Sequence, residues 1–422
     1  AWAVRKLYFK LLNMLSMQNK ELFSEAESVE FPFVNTLIEI ENSGIKIDLD
    51  FFEQLSFDSQ KELLAITKEI YSLSGMEFNI NSTQQLSHVL FDVLNLKSAK
   101  KTKTGFSTDE KVLSKLIDEH PIIEKLLDYR ELFKLYSTYI EPLKNYALKN
   151  EQHKIYTTFL QTGTATGRLS SKNPNLQNIP VRSDIGKKIR HGFIADTNKV
   201  LIACDYSQIE LRLLAHFSKD DVLVEAFNNN LDIHMQTAIK IFGENATKDK
   251  RDIAKSINFG LLYGMGSKKL SETINISQKE AKDYINSYFN SFPTVKKYIE
   301  SIQEDIKQKG FVETLLKRRR YFDFASANEF LKSNYLREGV NTLFQGSAAD
   351  LIKLSMNKIV DSQKEHNVKI LLQIHDELIF ECDKDKAKES AKILQHIMEN
   401  IYKLDVPLKT SVNIANNWGD LK

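Results

Sequence analysis

The apolar run Lys199-Val-Leu-Ile-Ala-Cys204 stops at Asp205, and far downstream two apolar arms within Lys369–Glu381 close around His375-Asp376-Glu377. Each arm has the length and continuous apolar character of a buried strand. The first run delivers a carboxylate to its carboxyl end, just ahead of a helix start at Ser207-Gln-Ile-Glu210; the second pair reads as a hairpin with acids at its tip. No local structure can join residues so far apart in sequence, so only a fold that pairs distant strands can use Asp205 and Asp376 together. Ser207 and Glu210 also match a capping box, in which hydroxyl and carboxylate satisfy the first free N–H groups of a helix. That reading explains Ser207 and extends to Glu210, for which any further role needs independent support.

Around these strands the chain is helical in pattern. Apolar residues recur at helical spacing from Leu7 to Phe23, Phe51 to Leu73, Asp109 to Leu148 and Leu211 to Gln308, while His153 to Gln161 resembles a strand. With 15 glycines and 7 prolines in 422 residues, long helices should outnumber tight turns. The expected class is helix-rich α+β, in two or three subdomains because the chain is longer than one core usually supports. No apolar run approaches the ~18 residues of a membrane span, and Cys204 and Cys382 have no metal-ligand spacing. A reduced, cytoplasmic compartment is the expectation. The glycosylation-like triplets at Asn81, Asn245 and Asn275 carry no weight without a signal peptide. The 58 basic and 56 acidic residues nearly cancel, so any phosphate-binding surface must arise by local segregation.

Two carboxylates can share hard divalent ions, because Mg²⁺ keeps several waters and usually takes only one or two carboxylates plus substrate phosphates. Between the acids, Arg251, Lys255, Phe259 and Tyr263 fall four residues apart. Each step of four rotates only ~40° about a helix, so the four side chains form one slowly winding stripe. Two cations followed by two aromatics suit a nucleoside triphosphate, the cations for phosphate and the rings for sugar and base. The same pattern also fits a surface Arg/Lys pair above two core aromatics. The basic Ser98–Thr108 segment and the Gly- and hydroxyl-rich Thr162–Ser171 segment read as loops with the composition of phosphate contacts or of ordinary surface.

Three stretches, Asp205-Tyr-Ser-Gln-Ile-Glu-Leu-Arg212, Arg251 to Gly264 and Gln373-Ile-His-Asp-Glu377, resemble motifs A, B and C of family A DNA polymerases, in the required order. Thr166-Gly-Arg-Leu-Ser-Ser171, Asn175 to Arg182, Asp232-Ile-His234 and Asn341 to Asp350 are similar to further family stretches, and the similarity extends from about Glu30 to the C-terminus. The resemblance implies a right-hand palm, fingers and thumb fold with an antiparallel palm sheet. Residues 1–28 would be the remnant of an upstream, exonuclease-like domain, 29–59 the palm start, 60–150 the thumb, 151–215 palm with motif A, 216–327 fingers with motif B and 328–422 palm with motif C.

It further implies template-directed addition of deoxynucleoside triphosphates to a primer 3′-hydroxyl, in repair or replication gap filling, by a monomer with primer–template DNA as partner and no membrane contact. Two Mg²⁺, with Mn²⁺ as a substitute, would bind Asp205, Asp376 and the Tyr206 carbonyl, with Glu377 nearby and subordinate. Arg251 and Lys255 would bind triphosphate, Lys255 also protonating the departing pyrophosphate. Phe259, Tyr263, Gln208, Glu210 and His234 would complete the nucleotide pocket, with Glu210 as the gate against a ribose 2′-hydroxyl. Phe259, in place of Tyr, implies stronger discrimination against dideoxynucleotides. Arg168, Arg337, Asn341, Gln345 and His375 would track primer and template, and Lys100, Lys101 and Lys103 would touch phosphates at the thumb tip. Too few residues precede the family-like portion for a nuclease domain, so neither proofreading nor 5′ nuclease activity is expected. Arg318 to Arg320 lie in a loosely family-like segment, either touching single-stranded template or forming a solvated basic turn. A single-subunit RNA polymerase, a non-catalytic primer–template binding protein and a two-metal nuclease are the rival readings. Glu210, the intact acids and cations, and the Arg/Lys/Phe/Tyr stripe argue against them in turn.

Overall fold

The computed structural model describes residues 2–18, 20–97, 101–102, 105–181 and 183–421. At its centre four antiparallel strands lie in the order Val368–Ile374, Glu377–Asp383, Lys199–Tyr206, Thr410–Ala415. The continuous apolar runs follow from burial on both faces. Val200, Ile202, Cys204, Leu378 and Phe380 enter one core, with Phe33, Phe344 and Leu394 from flanking helices. Leu201, Ala203, Leu371 and Ile379 enter another, with Phe52, Ile140, Phe193 and Trp418. Alternate residues of one strand therefore serve different cores, as the two-residue period of a strand requires.

The register sets Asp205 opposite Glu377 and Cys204 opposite Leu378. Beyond the last pair, the Tyr206 amide donates to the Asp376 carbonyl at 3.1 Å. The helical stretch expected from Leu211 to Gln308 is a succession of short helices from Ile209–Ser218 to Pro293–Lys309. Several start at side-chain caps, among them Asp220, Asp232, Thr247 and Ser277. The 34-residue helix Glu329–Ser362 follows, buried through most of its second half, where it shares a core with one face of the sheet. Helices Leu49–Ser74 and Ile122–Leu135 close over a separate core that includes Ile70, Leu86, Leu90, Ile123 and Leu126.

Several sequence expectations change. His153 to Gln161 is two strands rather than one: Lys154–Ile155 pairs with Ile45–Ile47, and Thr158–Leu160 with Ser170–Lys172. Within the basic segment expected as a loop, Lys101–Thr102 and Gly105–Phe106 pair as antiparallel strands. Lys100 and Lys103 lie outside the described residues, as does Arg182.

Arg318 to Arg320 form neither a solvated turn nor an open basic surface. Arg319 pairs with Glu313 at 2.7 Å, and Arg320 pairs with Glu338 and donates to Thr342. Arg318 binds Asp350 at 3.0 Å, Glu25 at 3.1 Å and Glu30, which also holds Lys353 at 2.8 Å. These three acids and two cations come from sequence-distant segments, a pairing no local pattern announces. Burial pushes Glu25 up to about 7, against the pull of Arg318, and raises Asp350 as well. For Glu30 burial works in the same direction, but Arg318 and Lys353 together hold it below the usual carboxylate range.

Because Glu25 has its raised value only when folded, it contributes stability that is complete below pH 4.5 and lost as pH rises to about 7. Denaturant midpoints of the wild type and Glu25→Gln across that window should therefore converge at the acid end and separate above it, the variant being less pH-dependent. Arg318→Ala, which strands buried carboxylates, should cost about 3–5 kcal/mol in the same assay.

Candidate active site

Pairing of the two central strands brings both candidate acids to one sheet end. Asp205 is the penultimate residue of its strand and is exposed; Asp376 sits in the two-residue tip between Val368–Ile374 and Glu377–Asp383. His375 occupies the left-handed backbone region at φ 54°. A brace holds that tip, a feature absent from the sequence reading although its members lie inside the quoted motifs. Gln177 Nε2 donates to the Gln373 side-chain oxygen at 2.7 Å, and Gln373 Nε2 donates to the His375 carbonyl at 2.5 Å. The Tyr206 side chain is anchored inward, its hydroxyl donating to the Met398 carbonyl at 2.7 Å, which fixes the strand end from below.

Asp205, His375 and Asp376 form a ridge between two clefts. One, of about 680 Å³, is also lined by Glu377, Gln177 and Arg190. The other, of about 410 Å³, brings together Arg168, Tyr206, Gln208, Glu210, Phe259 and Tyr263 with the same three residues.

In the second cleft the expected capping box does not form. Gln208, at φ 55°, is the N-cap of helix Ile209–Ser218 and makes no side-chain cap bond, and the Ser207 carbonyl instead accepts from Arg212 Nε at 2.8 Å. Glu210 is thereby released from backbone duty. Its side chain is 4% exposed and binds Arg168 Nη2 at 2.6 Å, while the same nitrogen lies 3.4 Å from Asp376 Oδ1. Burial raises the Glu210 carboxyl and the Asp376 charge adds to this, whereas Arg168 and the Tyr263 hydroxyl lower it. Burial also raises Asp376, with Arg168 and His375 opposing. Arg168 arrives on a turn in which Thr164 Oγ1 donates to its carbonyl at 2.7 Å and Gly167 takes φ +85° against the Arg318 side chain. A Cβ there would lie 2.9 Å from Arg318 Nε, so glycine is required twice over, by conformation and by space.

The stripe is real. Arg251, Lys255 and Phe259 lie on helix Lys248–Leu262, and Tyr263 caps its carboxyl end. Phe259 and Tyr263 reach the cleft, while the cations lie one to two turns earlier, Lys255 exposed and Arg251 Nε bound to Asp232 Oδ2 at 2.6 Å. His234 is 2% exposed and packs against Phe259 at 5.6 Å between ring centroids. Its Nδ1 accepts from the Asn258 amide at 3.1 Å, and burial takes it down to about 4, so the ring is neutral with its proton on Nε2. Among the strand-tracking candidates, Arg337 is exposed on the long helix and packs against Gly264 at φ +66°. Asn341 Oδ1 is buried without a hydrogen-bond partner on the same helix, and half-buried Gln345 follows one turn later.

Among the described residues no group of three or more His, Cys, Asp or Glu side chains could hold a metal. Two carboxylates and a strand-end carbonyl nevertheless fit a hard cation that takes its remaining ligands from water and substrate phosphate.

A central antiparallel sheet carrying paired acids at one end, overhung by a cation-bearing helix, defines the right-hand polymerase fold. The model of DNA polymerase family A matches residues 49–420, and the chain belongs to that family. It is 52% identical to DNA polymerase I of Helicobacter pylori over 406 residues, 96% of this chain and 45% of that protein. It is 43% identical to DNA polymerase I of Caldicellulosiruptor bescii, over 99% of this chain and 50% of that one. The chain thus spans about half the length of the curated relatives it matches. A solved structure, the POL domain of Pol1 from M. smegmatis in complex with DNA primer-template and dNTP, matches with a TM-score of 0.86 at 38% identity, covering 93% of this chain and 70% of that one.

Arg168→Ala leaves the buried Glu210 carboxylate without its cation and should reduce unfolding free energy by about 3 kcal/mol. The double variant Arg168→Ala/Glu210→Gln should recover most of that loss in the same denaturation measurement.

Proposed function

We propose that this chain carries out template-directed DNA synthesis, joining a primer 3′-hydroxyl to the α-phosphorus of a base-paired deoxynucleoside triphosphate and releasing pyrophosphate. The observation that carries the reading is the shared cleft, in which Asp205 and Asp376 face Glu210, Phe259 and Tyr263 at the end of the Arg251 helix. In subdomain terms, 60–150 serve as thumb, 216–327 as fingers and the sheet-bearing segments as palm, the first with a core of its own.

Two Mg²⁺ would be held by Asp205, Asp376 and the Tyr206 carbonyl, supplying charge stabilisation to the attacking and leaving oxygens. The remaining work belongs to the chain. Arg251 and Lys255 bind the triphosphate, and Lys255, exposed on the helix face, donates a proton to the departing pyrophosphate. Phe259, backed by the neutral His234 ring, packs on the sugar, and Tyr263 sits beside the templating base. Gln208 lies at the cleft wall, and Glu377 supports Asp205 across the strand pair. Glu210 is fixed by Arg168 at the cleft floor, where a 2′-hydroxyl would meet a buried carboxylate with no room to withdraw. Arg168, Arg337, Asn341, Gln345 and His375 contact primer and template without reading sequence, as minor-groove acceptors permit. Primer–template DNA and deoxynucleotides are therefore the partners, and no helix among the described residues is long and apolar enough to cross a membrane.

Primer extension on a defined template with Mg²⁺ tests this. Deoxynucleotides should be incorporated and ribonucleotides rejected; Asp376→Ala should lower the rate by roughly three orders of magnitude, and Glu210→Ala should admit ribonucleotides. Primer–template binding without extension would overturn the catalytic reading.

A further inference from the structure

Asp232 was not among the site candidates, yet it is the residue through which Arg251 is tied to the rest of the molecule. Its two carboxylate oxygens do different things. Oδ1 caps helix Ile233–Phe242, accepting from the His234 amide at 3.0 Å and the Met235 amide at 3.1 Å. Oδ2 accepts from Arg251 Nε at 2.6 Å. The carboxylate is thus immobilised on one side by a helix start and grips the arginine with the other. A guanidinium has one donor on Nε and four on its two terminal nitrogens. Holding it by Nε leaves the terminal nitrogens for a ligand. Among the described residues, Nη1 also lies 3.5 Å from Asp252, itself 61% exposed.

From this geometry we infer that Asp232 is a positioning residue: it fixes the Arg251 side chain so that the terminal nitrogens are presented to the phosphates of the incoming nucleotide. The inference rests on the reading of Arg251 as a triphosphate ligand. A long arginine loses rotamer freedom when it binds, and a side chain already held in place loses less. Asp232 is suited to the task because it stays charged. Burial works against that charge, but Arg251 and the capping amides hold the carboxyl below its usual range. The alternative, that Asp232 is a phosphate mimic which the nucleotide must displace, predicts the opposite sign.

Asp232→Asn separates the two functions, because asparagine is an equally good N-cap acceptor through Oδ1 but turns a donor toward Arg251 Nε. Steady-state single-nucleotide incorporation should show KM for the deoxynucleotide raised up to roughly tenfold, as expected when a long side chain must be ordered on binding, with kcat reduced by no more than about threefold. Inorganic tripolyphosphate should become a correspondingly weaker competitor, and the melting temperature should fall by no more than about 2 °C, as expected for a partly exposed ion pair. In an Arg251→Lys background, where no Nε remains to be held, Asp232→Asn should add nothing. An unchanged or lowered KM overturns the inference, as does the same rise in the Arg251→Lys background, which would trace the effect to the helix start. If the wild-type chain failed to extend a primer, the polymerase reading would fall and this inference with it, whereas extension with an unaltered KM removes only the role given to Asp232.

Discussion

The antiparallel pairing of Lys199–Tyr206 with Glu377–Asp383 is the contact on which the rest of the molecule depends. Each strand is buried on both faces, so a slip of one residue would exchange the side chains that fill two separate cores. The register that satisfies both cores is also the one that sets Asp205 opposite Glu377 and leaves Asp376 at the tip beside Tyr206. Packing thus determines where the acids stand, and the acids determine what can bind. The hydrogen-bonded glutamines Gln177 and Gln373 then hold the tip in a conformation that its left-handed His375 would not otherwise favour.

Electrostatics follow from that placement. Burial in the cleft raises both the Glu210 and the Asp376 carboxyls, and for Glu210 the Asp376 charge adds to it. Arg168 offsets this by reaching both, and it can do so only because Gly167 turns the chain against Arg318. Arg318 is in turn committed to Glu25, Glu30 and Asp350. Two separate groups of charge pairs, one anchored on the N-terminal segment and one in the cleft, therefore meet where Gly167 packs against Arg318. The nearly balanced total charge hides this arrangement.

Much of the site was legible because its residues sit in contiguous strings. The strand ends at Asp205 and Asp376 and the stripe at Arg251, Lys255, Phe259 and Tyr263 each announce themselves by period and by the abrupt change from apolar to charged side chains. Pairings between strings were not legible. The Arg168–Glu210 bridge, the clamp of Asp232 on Arg251 and the Arg318 network each join residues whose separation carries no local signal. Ser207 and Glu210 illustrate the converse: a valid local signature lost because Gln208 adopts a left-handed conformation and starts the helix one residue later. Tertiary demand for a carboxylate in the cleft outweighs the modest gain of a cap.

The central claim is that strand pairing creates a shared site for divalent ions between Asp205 and Asp376. Its most direct test is anomalous diffraction from crystals of the chain with primer–template, a chain-terminated primer, a deoxynucleoside triphosphate and Mn²⁺. The account predicts two peaks about 3.5–4 Å apart at the sheet end that carries Asp205 and Asp376. Mn²⁺ bound elsewhere, or bound to one of the two aspartates alone, would contradict it.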